Sequence, residues 1–423
     1  MQAERQLATV RIRKLVPGGQ GLGELADGRK VFVWNALPGE LARVRLIKQK
    51  HSFAEAIAEE VLEPAAERIA PREPADYLAT SPWQLMTFTA ENEYKQLLVQ
   101  ELFGQANVAL PGFELTAGGA QYGYRNKMEY SFWGDDDGLH LALYRRGSHG
   151  KQAITGSALA LPGIDTAANS VLAQLQKMQI RAGDLKTIVI RSSQKGAVAA
   201  SLFVKAAGFP ILPLPDSLQG LRVYYSNPKS PASVPTKLLQ ELGDCRLQDE
   251  LLGRPFVYDV DSFFQVNVPV FELALGRIKA RCASAELTDM YAGVGTIGLS
   301  VATKAVELVE LDPATAAMAR VNAQAAALTA TVVETSSEKA LAYITSGQPV
   351  SFDPPRAGLH DRVVTRVLEA LPPRIMYLSC NPATQARDLA RLMGAYRIDQ
   401  FEAYNFFPRT PHIETLAILQ RRD

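Results

Sequence analysis

A chain of 423 residues is long for one domain, so two or three are expected. An apolar content of 47%, a charged content of 21% and a formal charge of +1 describe an ordinary folded protein and identify no partner through overall charge. The three cysteines, Cys245, Cys282 and Cys380, form no CxxC pair, which argues against a disulfide framework or a zinc site, and the charged start MQAERQLATVRIRK with no long apolar run points to the cytoplasm rather than to secretion or a membrane.

Residues 1–65 read as short strands. LATVRIRKL, KVFVWNAL, LARVRLIKQ and FAEAIAEEVL are separated by PGGQGLG, ADGRK and PGE, the pattern of a small OB-like β-barrel. Residues 1–51 hold ten basic side chains against four acidic ones, +6 on a small module. A solvated face is the plain reading of that excess, and a polyanion-binding face the sharper one. ERIAPREP follows as a linker.

A central α+β module is expected over residues 75–250. ENEYKQLLVQELFGQA and TAANSVLAQLQKMQI have helical spacing, while YRNKMEYSFWG, LHLALYRRG, TIVIRSS and AVAASLFVKA read as strands. From residue 251 to 423 strands and helices alternate. VELVELD, TATVVE, PVSFDPP and RIMYLSC are strands between the helices PATAAMARVNAQAAAL, HDRVVTRVLEAL and PATQARDLARLM, with SSEKALAYI a short helix. YRIDQFEAY and ETLAILQ would close the sheet as an antiparallel pair. The fold class is therefore α/β, a mostly parallel doubly wound sheet, whose ligands bind where strands end at their carboxyl side.

Four constellations lie at those ends. In DMYAGVGTIG, Gly293, Gly295 and Gly298 fit GxGxxG, a dinucleotide loop or simply a tight turn. Glu310, closing the next strand, can accept from ribose hydroxyls. Asp289 and Glu310 suit a neutral or cationic nucleoside such as S-adenosylmethionine better than a pyrophosphate. In DPPR, two prolines stiffen the turn that holds Asp353 and Arg356. Enzymes that methylate exocyclic amino groups have an aromatic residue where Arg356 stands. Cys380 precedes Asn381, a good N-cap, and Pro382, favoured at a first helical position. A helix N-terminus there would stabilise a thiolate and favour a nucleophile. Cys245 and Cys282 have no such setting and read as structural. Finally, His412 and Glu414 precede the last strand, either as a surface pair or with Glu414 as a partly desolvated base.

Taken together, SFFQVN (262–267), DMYAGVGTIGL (289–299), VELVELD (306–312), DPPRAGL (353–359), LSCNP (378–382) and FPRTPHIE (407–414) resemble the RNA uracil-C5 methyltransferase family. YRNKMEYSF (124–132) resembles its central signature and residues 1–65 its TRAM-type RNA-binding barrel. The resemblance implies a class I, Rossmann-like methyltransferase with S-adenosyl-L-methionine as cofactor. It implies Cys380 as the nucleophile at uracil C6 and Glu414 as the base for the C5 proton. By the same carry-over Gln265, Tyr291, Glu310 and Asp353 bind the cofactor, and Arg125 and Lys127 contact phosphate. RNA is the implied partner, 23S ribosomal RNA ahead of the transfer-RNA T-loop, with no membrane and with a monomer expected.

Three positions depart from the family. Many members hold an iron–sulfur cluster on four cysteines, three of them in the stretch that here reads PADYLATSPWQLMTF; with none present, no cluster is expected and ordinary packing must hold this region. Ala292 stands where Cys is frequent. Ser336 stands where an acidic or amide residue is usual. Two other readings compete. A cytosine-C5 methyltransferase would present its cysteine in another motif. A non-catalytic RNA-binding protein or chaperone on the same fold would not need to keep Cys380, Glu414 and Asp353.

Overall fold

The computed structural model describes residues 6–147, 150–230 and 232–423, and every structural statement below concerns those residues. The first five positions of the expected barrel module lie outside them. β1 (Leu7–Arg11), β2 (Lys14–Leu15), β3 (Gly21–Glu24), β4 (Lys30–Trp34), β5 (Leu41–Gln49) and β6 (Phe53–Glu63) form one sheet in the order β1-β5-β6-β4-β3-β2. Val31, Val33, Val44, Ala54 and Ala56 alternate inward and are fully buried. The sheet curls until β1 meets β3, where a Cβ on Gly23 would stand 2.3 Å from Val10 Cγ1. Only glycine admits that approach. The single strand expected over LATVRIRKL is two, because the chain turns at Ile12 and Arg13, whose amides bond Glu40 O and Leu22 O.

The positive excess counted over residues 1–51 is largely offset. Arg11, Arg43, Arg45 and Lys48 pair with Glu63, Glu60, Glu59 and Glu55 of β6, while Arg13 pairs with Glu24 and Arg29 with Asp27. A charge count over residues 1–51 stops just short of the strand that carries the compensating carboxylates.

After the barrel come α1 (Tyr77–Thr80), α2 (Phe88–Gln105) and β7 (Leu115–Ala117). Trp83, Leu85 and Met86, from the cysteine-free stretch, are buried in the same apolar cluster as α2 and the C-terminal sheet. The next sheet comprises β8 (Lys127–Asp135), β9 (Gly138–Tyr144), β10 (Lys151–Ile154), β11 (Leu185–Ser192), β12 (Val198–Val204), β13 (Gly220–Tyr225) and β14 (Lys237–Gly243), in the order β10-β9-β8-β11-β12-β13-β14. α3 (Pro162–Lys177) covers it with Ile164, Ala167, Ala168, Val171 and Leu175, a stripe at helical spacing. A hairpin, β15 (Arg246–Leu251) and β16 (Arg254–Asp259), leads on to the last layer.

That layer is built from α4 (Val268–Cys282), β17 (Ser284–Asp289), α5 (Thr296–Val301), β18 (Ala302–Glu310), α6 (Pro313–Gln324), β19 (Thr329–Glu334), β20 (Val350–Phe352), α7 (Asp361–Ala370), β21 (Arg374–Ser379), α8 (Pro382–Leu392), β22 (Tyr396–Asn405) and β23 (Glu414–Arg421). Its strands lie in the order β19-β18-β17-β20-β21-β23-β22-β7. β17 to β21 are mutually parallel, as the alternation of elements requires, and β23 runs antiparallel between β21 and β22. The doubly wound α/β expectation is met. SSEKALAYI supplies only one 3-10 turn, at Leu341–Tyr343. α2 and β7, expected in the central module, pack instead on the C-terminal layer, where β7 adds to the edge of β22 through Leu115–Ala117. Nothing in so short a strand signals its distant partner.

Candidate active site

The parallel strands deliver their carboxyl ends to one edge of the sheet. Asp289 ends β17, Glu310 ends β18, Asp353 follows β20 and Cys380 follows β21. β23 is antiparallel, so its first residue comes to the same edge. Ser379 lies opposite Thr415 and Tyr404 opposite Glu414, which sets Cys380 and Glu414 beside one another. A cleft of about 1220 Å³ opens over this edge, lined by Gln265, Tyr291, Glu310, Asp353, Cys380 and Glu414. Arg125 and Lys127 line it too, so the eight residues that the resemblance assigns to catalysis, cofactor and phosphate share one cavity.

At the glycine end, Gly293 and Gly295 have φ of +56° and +90°, conformations that favour glycine. Asp289 accepts from Gly298 N (2.8 Å) and Ser351 Oγ (2.8 Å), and burial pushes its carboxyl up to about 6. Glu310 ties the loop from the other side, accepting from Gly293 N (2.9 Å) and Asp312 N (2.8 Å). Each of its oxygens keeps a second lone pair for a ligand hydroxyl. Gln265 Nε2 donates to Asp353 Oδ2 (3.0 Å), and Asn126 holds the main chain beside Gln265 by donating to Gln265 O (3.0 Å). Burial first, then the nearby Asp289, pushes Asp353 up to about 7. Tyr291 packs edge-on against Phe352 at 6.4 Å. Ser336 also lines the cleft, beside Glu338.

The DPPRAGL turn is locked from below. Asp388 of α8 accepts from Leu359 N (2.8 Å) and Tyr377 OH (2.9 Å). Gly358 has φ +78°, and a Cβ there would stand 2.6 Å from Asp388 Oδ2 and 3.0 Å from Thr384 Cβ. Gly358→Ala is therefore expected to cost about 1–3 kcal/mol through backbone strain and displacement of Asp388, to be read by chemical denaturation. Unchanged stability would contradict the tight fit.

Cys380 differs from its expectation. It does lie at the start of α8, with Asn381 capping Ala383 N (3.3 Å). Yet burial, then the carboxyls of Glu414 and Asp353, push its thiol up to about 12, against the weaker pull of Arg356. The helix terminus does not outweigh desolvation beside two acids, and the group rests as a thiol. Glu414 is 1% exposed and its Oε1 has no hydrogen-bond partner. Burial and Asp353 raise its pKa well above the usual carboxylate range. His412 Nδ1 faces Arg356 Nη2 at 3.3 Å. Burial, then Arg356 and other cations, depress its pKa to about 3, so the imidazole is neutral.

Sequence reading missed Arg191. It is 1% exposed, lies opposite Lys127 in the β8–β11 pairing, and lines the cleft. Its guanidinium donates to Ser262 O (2.8 Å) and Phe264 O (3.3 Å), which fixes the segment bearing Gln265. Burial and Arg191 lower Lys127 to about 8. A lone arginine in an apolar strand gives no signal beyond its cost of burial. Among the described residues there is no group of three or more His, Cys, Asp or Glu that could hold a metal ion. The dispersed cysteines, with Cys245 and Cys282 both buried, do not fit a four-thiolate cluster. No membrane-crossing helix, long and apolar enough, occurs there either.

Residues 340–422 match the family model for tRNA (Uracil-5-)-methyltransferase. A Nitratidesulfovibrio vulgaris protein named an uncharacterized RNA methyltransferase is 28% identical, over 98% of this chain and 96% of its own. One of the same name from Thermotoga maritima is 26% identical over 99% and 100%. Among solved structures, Pyrococcus abyssi tRNA (uracil-54, C5)-methyltransferase in complex with S-adenosyl-L-homocysteine superposes with a TM-score of 0.77 at 23% identity, covering 97% of this chain and 99% of that one. The resemblance read from the motifs is borne out, and the fold is that of a class I methyltransferase.

Proposed function

We propose that this chain is an S-adenosyl-L-methionine-dependent RNA methyltransferase that modifies C5 of a uridine through a covalent adduct with Cys380. The observation that carries the reading is the convergence of Cys380, Glu414 and Asp353 on one cleft that also holds the glycine loop and Glu310.

Bound S-adenosyl-L-methionine supplies an electrophilic methyl group on a sulfonium. The Gly293–Gly298 loop and Glu310 would receive its nucleoside, while Asp353 and Gln265 face its charged end. Uracil C5 is a weak nucleophile until electrons are pushed into the ring. Cys380 Sγ adds to C6, and the C5–C6 π electrons move to make a C4–O4 enolate. Since the resting group is a thiol, its proton passes to solvent water in the open cleft as sulfur adds, and negative charge leaves sulfur for O4. C5 then takes the methyl. Glu414, in its carboxylate form, takes the remaining C5 proton, the C5–C6 double bond re-forms, and Cys380 leaves as a thiolate that regains a proton from solvent. A free Oε1 suits Glu414 to that proton transfer. The target base must leave its stack to reach the cleft, which costs least in a single-stranded loop. Arg125, Lys127 and Arg191, which line the same cleft, would give it positive charge for the adjoining phosphates.

The expectation of 23S ribosomal RNA leaned on the barrel. That support weakens, because most of the barrel's cations are paired and a tRNA enzyme shares this fold along its whole length. Nucleoside mass spectrometry on separated ribosomal and transfer RNA, from cells with and without the gene, decides. Loss of 5-methyluridine from one fraction names the reaction and the substrate. Retention in both, together with no methyl transfer to either RNA in vitro, would favour the non-catalytic reading.

The cofactor's affinity should depend on pH. A raised Asp353 is a carboxylate only above about 7, and a sulfonium binds the carboxylate form better. Affinity is therefore expected to fall as pH drops below about 7, approaching tenfold per unit once the group is mostly protonated. Calorimetric titration between pH 5.5 and 8 checks this, and Asp353→Asn should bind weakly without that slope.

A further inference from the structure

Among the described residues, the ion pair with both side chains fully buried lies outside the cleft. Lys95 and Glu91, one turn apart on α2, are both 0% exposed and 2.9 Å apart. Lys95 Nζ also donates to Asn405 Oδ1 (2.6 Å) and Phe407 O (3.1 Å). Glu91 accepts from Asn405 Nδ2 (2.9 Å) and, through both oxygens, from Arg409 N (2.9 and 3.0 Å). Arg409 is 4% exposed and sits at φ +64°, a left-handed conformation that a bulky residue rarely adopts. Around them Tyr124 OH donates to Pro408 O (3.0 Å), Asn267 Nδ2 to Phe406 O (2.9 Å) and Trp83 N to Arg409 O (3.1 Å). A loop is thus held at successive backbone groups by side chains and main chain from segments 140 to more than 300 positions away.

This loop runs from the end of β22 into Glu414. A buried ion pair is a poor source of net stability compared with apolar packing of the same volume. Its worth must lie elsewhere, and strained backbone persists only where its surroundings over-determine it. We infer that Glu91 and Lys95 form a clamp that positions Glu414, through the loop 406–410, for removal of the C5 proton, so that these two α2 residues are positioning residues of the reaction. The inference rests on the function proposed above. A misplacement of about 1 Å can cost on the order of 10²-fold in a chemical step. The clamp acts on the loop before Glu414 and not on Cys380 or the glycine loop. Weakening it should slow resolution of the adduct more than its formation.

The test compares single-turnover methyl transfer, the covalent RNA adduct on denaturing gels, and cofactor affinity. Glu414→Gln serves as the reference for adduct accumulation. Glu91→Gln leaves Lys95 without its counter-charge and is expected to accumulate methylated adduct, with turnover down roughly 10²-fold. Glu91→Gln combined with Lys95→Met removes both charges of the pair and leaves only the Arg409 guanidinium, 3.8 Å from Glu91, without that carboxylate. It should regain thermal stability while still accumulating adduct, whereas a purely structural role would restore both together. Tyr124→Phe, which keeps its volume and drops one tie to Pro408, covers the case in which the α2 variants fail to fold. It should show the same partition, several-fold rather than hundred-fold. Cofactor affinity within about twofold of the unaltered chain is expected throughout, because the residues facing the cofactor lie on other elements. Adduct in Glu414→Gln but wild-type partition in Tyr124→Phe and in the folded double variant would overturn the clamp and leave the proposed function standing. No 5-methyluridine from the unaltered chain on either RNA would overturn both.

Discussion

Cys380→Ala is expected to abolish methyl transfer, by about 10⁴-fold or more, and to leave no RNA joined to the protein. The magnitude follows from the chemistry. Without addition at C6 there is no enolate, and neutral uracil offers C5 little electron density toward a methyl donor. Alanine removes only the sulfur from a half-buried position, so folding and cofactor binding should survive, which circular dichroism and calorimetry can verify. The resting thiol adds a second expectation. With its pKa near 12, Cys380 should react slowly with iodoacetamide at neutral pH in the absence of RNA. Rapid alkylation there would mean the thiolate is already formed, against the coupling of ionisation to addition. Activity persisting in Cys380→Ala would remove the covalent route altogether.

Glu414→Gln should separate the two halves of the cycle. Methyl transfer to C5 precedes proton removal, so the variant is expected to methylate once and then stop. Methylated RNA would accumulate on Cys380, with turnover lowered about 10²–10⁴-fold, the usual weight of a general base. Glutamine keeps the size of a side chain that is 1% exposed, and the unpartnered Oε1 means that few contacts are lost. Labelling with cofactor carrying an isotopic methyl and resolving the products under denaturing conditions reads the outcome. A variant that turns over at the unaltered rate would assign the proton to another group. The neutral His412, on the same loop, would be the next to examine.

Much of this site could be read from the sequence because doubly wound sheets place their chemistry at strand ends. Finding where RIMYLS or PVSF stops was enough to locate Cys380 and Asp353. The helix PATQARDLARLM and the strand TATVVE follow their periodicity closely, as α8 and β19 show. What escaped was set by partners far away in the chain. GLGE is too rich in glycine to look like a strand, yet β3 needs those glycines where β1 crosses it. Arg191 reads as an interruption of an apolar strand until Ser262 and Phe264 are seen to receive it. The thiolate expected at Cys380 failed because Asn381 and Pro382 mark a helix start but say nothing about Glu414, which becomes a neighbour only through the pairing of β21 with β23. The +6 counted over residues 1–51 leaves out β6, which follows directly after the basic strands and returns the carboxylates.

β23 follows every other described strand in the chain, and it lies between β21 and β22 rather than at an edge. During synthesis, β22 can find its permanent neighbour on that side only when residues 414–421 emerge. Lys95 and β7 must wait some three hundred residues for Asn405 and Ala403. The C-terminal layer therefore closes only once β23 has emerged, and a chain stopped before residue 414 would display unpaired strand edges for chaperones or proteases to find. Because Glu414 begins that last strand, completion of the sheet and completion of the site are one event. A nascent chain that has not yet presented Glu414 could not acquire activity.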